Sequence, residues 1–113
     1  MAFDVALETT EQGIAIVTLT GELDGSVAPV FKDKVQEAAD QQAKRLVLMM
    51  DGLEFMSSAG LRVLVFAKQK MGSDVDIYMV GVQEMVLEPI KMTGLDKSVI
   101  LLDEYDSDEI ENI

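Results

Sequence analysis

Apolar and polar residues alternate near the start of the chain, with Phe3, Val5 and Leu7 separated by Asp4, Ala6 and Glu8. That period of two belongs to a strand with one face buried. Glu11-Gln12-Gly13 is a turn signal, and the β-branched run 14–20 follows it. An antiparallel hairpin is therefore predicted first. Residues 21–26, Gly-Glu-Leu-Asp-Gly-Ser, are expected to form a loop. Beyond it the period changes: Ala28, Phe31, Val35 and Ala38 fall on one helical face, opposite Lys32, Asp33, Gln36 and Glu37. Pro29 sits in the first turn, where its missing N–H does little harm, and Ser26 or Asp24 is the expected cap.

Residues 45–50 are apolar without interruption after Arg45, the pattern of a strand covered on both faces. Asp51-Gly52 is expected to end it. A helix is predicted over 61–71 behind an opening turn at Ser57 and Ser58, closed by Lys68, Lys70 and a left-handed cap at Gly72. A strand over 76–82 follows, then a helix over 83–92 that Pro89 kinks or shortens and Thr93-Gly94 ends. A short strand over 98–102 comes last. The acidic tail, 103–113, is expected either to dock as a terminal helix through Leu102, Tyr105 and Ile110 or to fray. The predicted class is α/β: one domain over 1–113, a mixed sheet with an N-terminal hairpin and then alternating βα units, and helices packed against it.

Composition narrows the chemistry. The chain has neither cysteine nor histidine, so it lacks disulfides, thiolate chemistry and the commonest general base and metal ligand. With 21 acidic and 9 basic residues its net charge is -12, which disfavours nucleic acid and anionic membranes and suits a basic protein surface. No signal-peptide pattern opens it, and no apolar run approaches the roughly 20 residues of a membrane span. A cytoplasmic protein with no cofactor and no metal is expected. Met49, Met50 and Met79 fall in strands and are expected as core filler.

Ser57 and Ser58 hold the candidate chemistry. Steps of three and four from Ser58 reach Arg62, Val65 and Gln69, the most polar stripe of a helix otherwise lined by Leu61, Val63, Leu64, Phe66 and Ala67. Ser57 is the better N-cap, leaving Ser58 at the first helical position with its side chain free. Gly60, third in the helix, costs about 0.5–1 kcal/mol against alanine, so either a strand packs closely there or an anion or partner approaches. A serine nucleophile needs a neighbouring base, and Lys68 and Lys70 lie at the wrong end. A phosphate is better suited: the free N–H groups and dipole of a helix start favour it, and Arg62 is one turn away.

Gly21-Glu22-Leu23-Asp24 with Ala28-Pro29, then residues 53–61 (Leu-Glu-Phe-Met-Ser-Ser-Ala-Gly-Leu), then Thr93-Gly94-Leu95-Asp96 resemble, in order and spacing, the STAS domains. More narrowly they resemble the anti-sigma factor antagonists of bacterial partner-switching systems. The family motif is commonly Asp-Ser-Ser/Thr-Gly-Leu with its first serine phosphorylated. On this chain that serine falls on Ser58, the aspartate on Ser57 and the third position on Ala59. The resemblance implies a non-enzymatic binding module whose unphosphorylated form binds an anti-sigma factor that is also a serine kinase of the HATPase type. It implies release when Ser58 (alternatively Ser57) is phosphorylated, and resetting by a PP2C-type phosphatase. Asp24, Met56, Ser57, Ser58, Gly60 and Arg62 are the expected partner-facing residues, with Met56 exposed and Asp24 either contacting the partner or its nucleotide or capping the next helix. The alternatives are a non-switching STAS subunit of a transporter or lipid-transport complex, and a nucleotide- or small-ligand-binding STAS domain.

Overall fold

Each strand after the first hairpin is reached through a helix, and this alternation determines the architecture. The computed structural model describes residues 3–112. Its elements are β1 (Asp4–Thr9), β2 (Ile14–Leu23), α1 (Ala28–Asp40), β3 (Arg45–Met56), α2 (Ser58–Met71), β4 (Asp76–Val80), α3 (Glu84–Met92), a 3-10 turn (Leu95–Lys97), β5 (Ile100–Leu102) and α4 (Ser107–Ile110). The sheet order follows the sequence, β1-β2-β3-β4-β5, with β1 antiparallel to β2 and the other pairs parallel. Three successive crossovers move in the same direction across the sheet. Because such crossovers are right-handed, all three helices belong on one face. The main core shows this: Phe31 and Val35 of α1, Val63 and Leu64 of α2, and Val86 and Ile90 of α3 share a cluster with Val17, Leu48 and Met79 of the sheet.

Two expected strand ends are not ends. Gly21-Glu22-Leu23 extends β2, and Asp51-Gly52 lies inside β3. The reason is a pair of β-bulges. Thr18 and Thr20 pair with Met49 and Gly52, and Gly21 and Glu22 pair with Leu53 and Phe55, so β3 carries one additional residue at each step. Gly21 supports the second bulge at a φ of 89°, where glycine is at home. The core-facing positions of β3 change spacing accordingly: Leu46, Leu48 and Met50 at every second residue, then Leu53 and Met56 at every third. Both strands thereby reach the same end of the sheet, where Leu23 pairs with Met56.

Other boundaries differ slightly. β4 ends at Val80 because Gly81 turns away, its N–H donating to Leu102 O at 2.8 Å. β5 begins at Ile100 rather than at residue 98, and the 3-10 turn before it buries Leu95. Pro89 lies inside a nine-residue α3, the short-helix outcome. Gly72 ends α2 with a φ of 86° but an extended ψ of 172°, so it is not the left-handed cap expected. Met50 and Met79 are fully buried, and Met49 is half-buried on the opposite face.

With three helices on one face, the other face of the sheet requires a cover, and the acidic tail supplies it. Ile110 is completely buried with Ile14, Val47, Tyr78 and Val80, and Leu102 and Tyr105 pack around them. The docked alternative therefore holds; Ile113 lies outside the described residues. Asp106 caps α4, accepting from the N–H groups of Asp108 and Glu109. Arg45 closes its other end, donating from Nη1 to Glu109 O at 2.7 Å and Ile110 O at 2.8 Å, and from Nη2 to Asn112 O at 3.2 Å.

Tyr105 donates to Glu111 Oε2 at 2.7 Å. Burial first, and then the Glu111 carboxylate, push its phenol up to about 12. A pKa raised from 10 means the phenol's contribution to stability is complete below pH 10 and is lost as pH rises toward 12. Alkaline titration should accordingly loosen the tail in step with Tyr105 ionisation, followed by tyrosinate absorbance and hydrogen exchange over 105–112. Tyr105→Phe should remove that step, and a tail that loosens identically in the variant would show that Tyr105 is not its cause.

Candidate functional site

The bulged ends of β2 and β3 bring the two sequence motifs together. Leu23 and Met56 are the last paired residues, and Asp24 and Ser57 follow them directly. Ser57 N–H donates to Leu23 O at 2.9 Å, which ties the start of α2 to the loop before α1. At Ser57 the backbone is extended, its Oγ accepts from Gly60 N–H at 3.3 Å and its carbonyl accepts from Leu61 N–H at 3.1 Å. Ser57 is thus the N-cap, and serine meets that need as an aspartate does.

Ser58 is the first residue of α2 and is exposed. Its hydroxyl has no bonding partner among the described residues. Because Ser57 takes the Gly60 N–H, the N–H groups of Ser58 and Ala59 are those left without an intrahelical acceptor. The first turn of α2 contains no acidic residue, on a chain with 21 of them. A dianion at Ser58 Oγ would therefore meet a helix start and no local carboxylate of that turn. Arg62 is exposed one turn on, as are Val65 and Gln69, so the stripe expected from the sequence faces outward. Lys68 and Lys70 lie in the last turn, and the chain has no histidine.

Gly60 is buried for a steric reason. A Cβ there would stand 2.8 Å from Leu23 Cδ2 and 2.9 Å from Met56 Cγ, so close packing on the strand ends, rather than an approaching anion, explains the glycine. Gly60→Ala gains about 1 kcal/mol of helix propensity and incurs roughly 1–3 kcal/mol of overpacking. The expected net is a loss of about 1 kcal/mol, read as a lower urea midpoint. A midpoint at or above that of the unaltered protein would show that Leu23 and Met56 yield freely.

Met56, expected at the partner face, is instead only 6% exposed and packs inward. The second bulge shifts the side-chain alternation by one residue, so Phe55 takes the outward position and is 46% exposed. An exposed aromatic beside Ser57 is the partner-facing candidate that the sequence reading missed. Only the bulge, which requires knowing the pairing of β2 with β3, distinguishes the two residues.

Asp24 remains exposed and also organises its loop. Its Oδ1 accepts from Ser26 N–H at 2.9 Å, Ser26 Oγ–H at 2.6 Å and Val27 N–H at 3.3 Å. The Ser26 hydroxyl, then the Ser26 N–H, hold its carboxyl below the usual range, so the charge persists. Val27 occupies the cap position of α1 without a side-chain bond. Asp24 supports the turn leading into α1 rather than capping the helix itself.

Among the described residues no cluster of acidic side chains is arranged to hold a metal ion, and no helix is long and apolar enough to cross a membrane. The STAS domain family model matches residues 6–108. An anti-sigma F factor antagonist of Paenibacillus polymyxa is 31% identical over 97 residues, 81% of this chain and 80% of that protein. An anti-sigma-F factor antagonist of Mycobacterium tuberculosis is 29% identical over 86 residues, 76% of this chain and 70% of that protein. An anti-sigma factor antagonist from Mycobacterium paratuberculosis has a solved structure that matches with a TM-score of 0.84 at 25% identity, covering 98% of this chain and 92% of that one. The unphosphorylated form of the Bacillus protein SpoIIAA shares the fold, with a TM-score of 0.80 at 18% identity over 96% of this chain and 95% of that one. With a family model spanning residues 6–108 and a relative 31% identical along most of its length, the chain belongs to the STAS domain family.

Proposed function

We propose that this protein is an anti-sigma factor antagonist, a phosphorylation-controlled binding switch of the cytoplasm and a kinase substrate rather than an enzyme. The observation that carries the reading is Ser58 Oγ: exposed, unbonded among the described residues and placed at a helix start whose cap is a different residue. In its unphosphorylated form the protein binds an anti-sigma factor that is also a serine kinase of the HATPase type. The kinase transfers the γ-phosphoryl group of ATP to Ser58 Oγ, whose proton departs, and the complex separates. A PP2C-type phosphatase hydrolyses the phosphoserine and restores the binding form. Asp24, Phe55, Ser57, Ser58 and Arg62 make the partner-facing rim, and Gly60 keeps α2 seated on the strand ends beneath it. The names of the relatives support the partner class, and the geometry of the turn supports the acceptor.

Mass measurement after incubation with the cognate kinase and magnesium–ATP tests the assignment. One phosphate is expected on the unaltered protein and none on Ser58→Ala. Ser57→Ala should still accept it, while losing about 1 kcal/mol of stability with the cap. Phosphate on Ser57 in the unaltered protein would overturn the assignment to Ser58.

A further inference from the structure

Beside the Ser58 turn, Ala28 and Pro29 from α1 and Ala59, Val63 and Phe66 from α2 line an open groove of about 360 Å³. The lining is apolar except for two cations, Lys32 and Arg62. Lys32 Nζ lies 4.7 Å from the centre of the Phe66 ring, within cation–π range. Two positive groups beside an apolar groove are a local reversal on a chain of net charge -12. Ala59 and Arg62 belong both to the groove and to the first turns of the helix that Ser58 opens.

We infer that this groove receives an apolar side chain flanked by an aspartate or glutamate of the anti-sigma factor, and that Arg62 is shared between that carboxylate and the phosphate on Ser58. The inference rests on the proposed function and specifies how its switch acts. The groove volume is at the small end of the range for binding pockets, sufficient for a single large side chain. Charge complementarity selects an acidic neighbour for that side chain, and Lys32 and Arg62 would steer it in. Ser58 and Arg62 are separated by four residues and stand one above the other on the helix surface. A phosphoserine therefore engages the guanidinium and takes from the partner the cation its carboxylate needs. Phosphorylation then acts by competition for a cation as well as by adding negative charge.

A double-mutant cycle reads this directly. Calorimetry with the purified cognate anti-sigma factor would compare the unaltered protein, Ser58→Asp, Arg62→Gln and the double variant, with an aspartate standing in for the phosphate. Arg62→Gln is expected to weaken binding about tenfold or more, Lys32→Gln less, and Arg62→Lys to recover part of the loss. Ser58→Asp should weaken binding by many fewer fold in the Arg62→Gln background than in the unaltered protein. An equal fold-change in the two backgrounds, or Arg62→Gln binding like the unaltered protein, would overturn the inference and leave the switch standing. Tighter binding by Arg62→Glu would identify a basic occupant and overturn it too. If the unaltered protein and Ser58→Asp bind equally, or neither binds, the proposed function fails and the inference fails with it.

Discussion

Ser58→Asp is expected to weaken binding of the cognate anti-sigma factor by about 100-fold, equivalent to ~2.7 kcal/mol, while leaving the fold as stable as before. The two halves of this expectation have different causes. Inside the protein, an aspartate at the first position of α2 meets free N–H groups and the positive end of the helix dipole, worth about 0.3–1 kcal/mol in its favour. No carboxylate of the first turn opposes it, and Ser58 is exposed, so no packing is disturbed. Across an interface the same charge is covered on association, and unfavourable charge pairing there costs several kcal/mol. The effect on binding therefore greatly exceeds the effect on folding. Calorimetric affinity and a urea melt on the same preparation separate them. Affinity unchanged by Ser58→Asp would remove the switch; a large fall in the melting midpoint would instead mean that Ser58 is structural.

The sequence revealed period and composition better than pairing. Alternation in β1, the apolar run 45–50 and the 28–31–35–38 face of α1 all appear in the structure because each element's pattern matches the surface it buries. Ser57 as cap was also legible, since capping is local chemistry within four residues. What was not legible depended on neighbours. Gly21 and Gly52 carry the ordinary signal of a break, yet lie within strands because bulges in the β2–β3 ladder absorb the irregularity. The exchange of roles between Phe55 and Met56 has the same origin: strict alternation from Leu53 makes Met56 the outward residue, and one additional residue at Glu54 reverses it. The 3-10 turn at Leu95 escaped because three residues give no period to read. The docking of the tail was underdetermined for another reason: a strongly acidic segment has the composition of a solvated run, and the one buried side chain among its described residues acquires meaning only when three helices are known to occupy the opposite face.

That tail supplies the other large expectation. Ile110→Ala should lower the stability of the whole fold by about 3 kcal/mol, within the roughly 2–5 kcal/mol range for truncating a buried isoleucine. Ile110 is fully buried and is the one side chain of α4 inside the second cluster. Leu102 and Tyr105 pack around it but are only partly buried. α4 is a single turn, far shorter than a helix that holds by itself in water. Asp103, Glu104, Asp106, Asp108, Glu109 and Glu111 add like charge to a chain already at -12. Ile110 and the three carbonyl bonds from Arg45 both hold the tail, and they are of different kinds. Arg45 is half-exposed, so water replaces much of what its loss removes, and Arg45→Met should cost less than Ile110→Ala. Truncating Ile110 leaves a cavity among Ile14, Val47, Tyr78 and Val80, or frees the tail and exposes that surface; either route costs apolar burial. Urea midpoints rank the two variants, and hydrogen exchange tells the routes apart: a freed tail loses protection over 105–112, while a cavity lowers protection throughout the sheet. A midpoint unchanged by Ile110→Ala would show that the second face is stable without its cover.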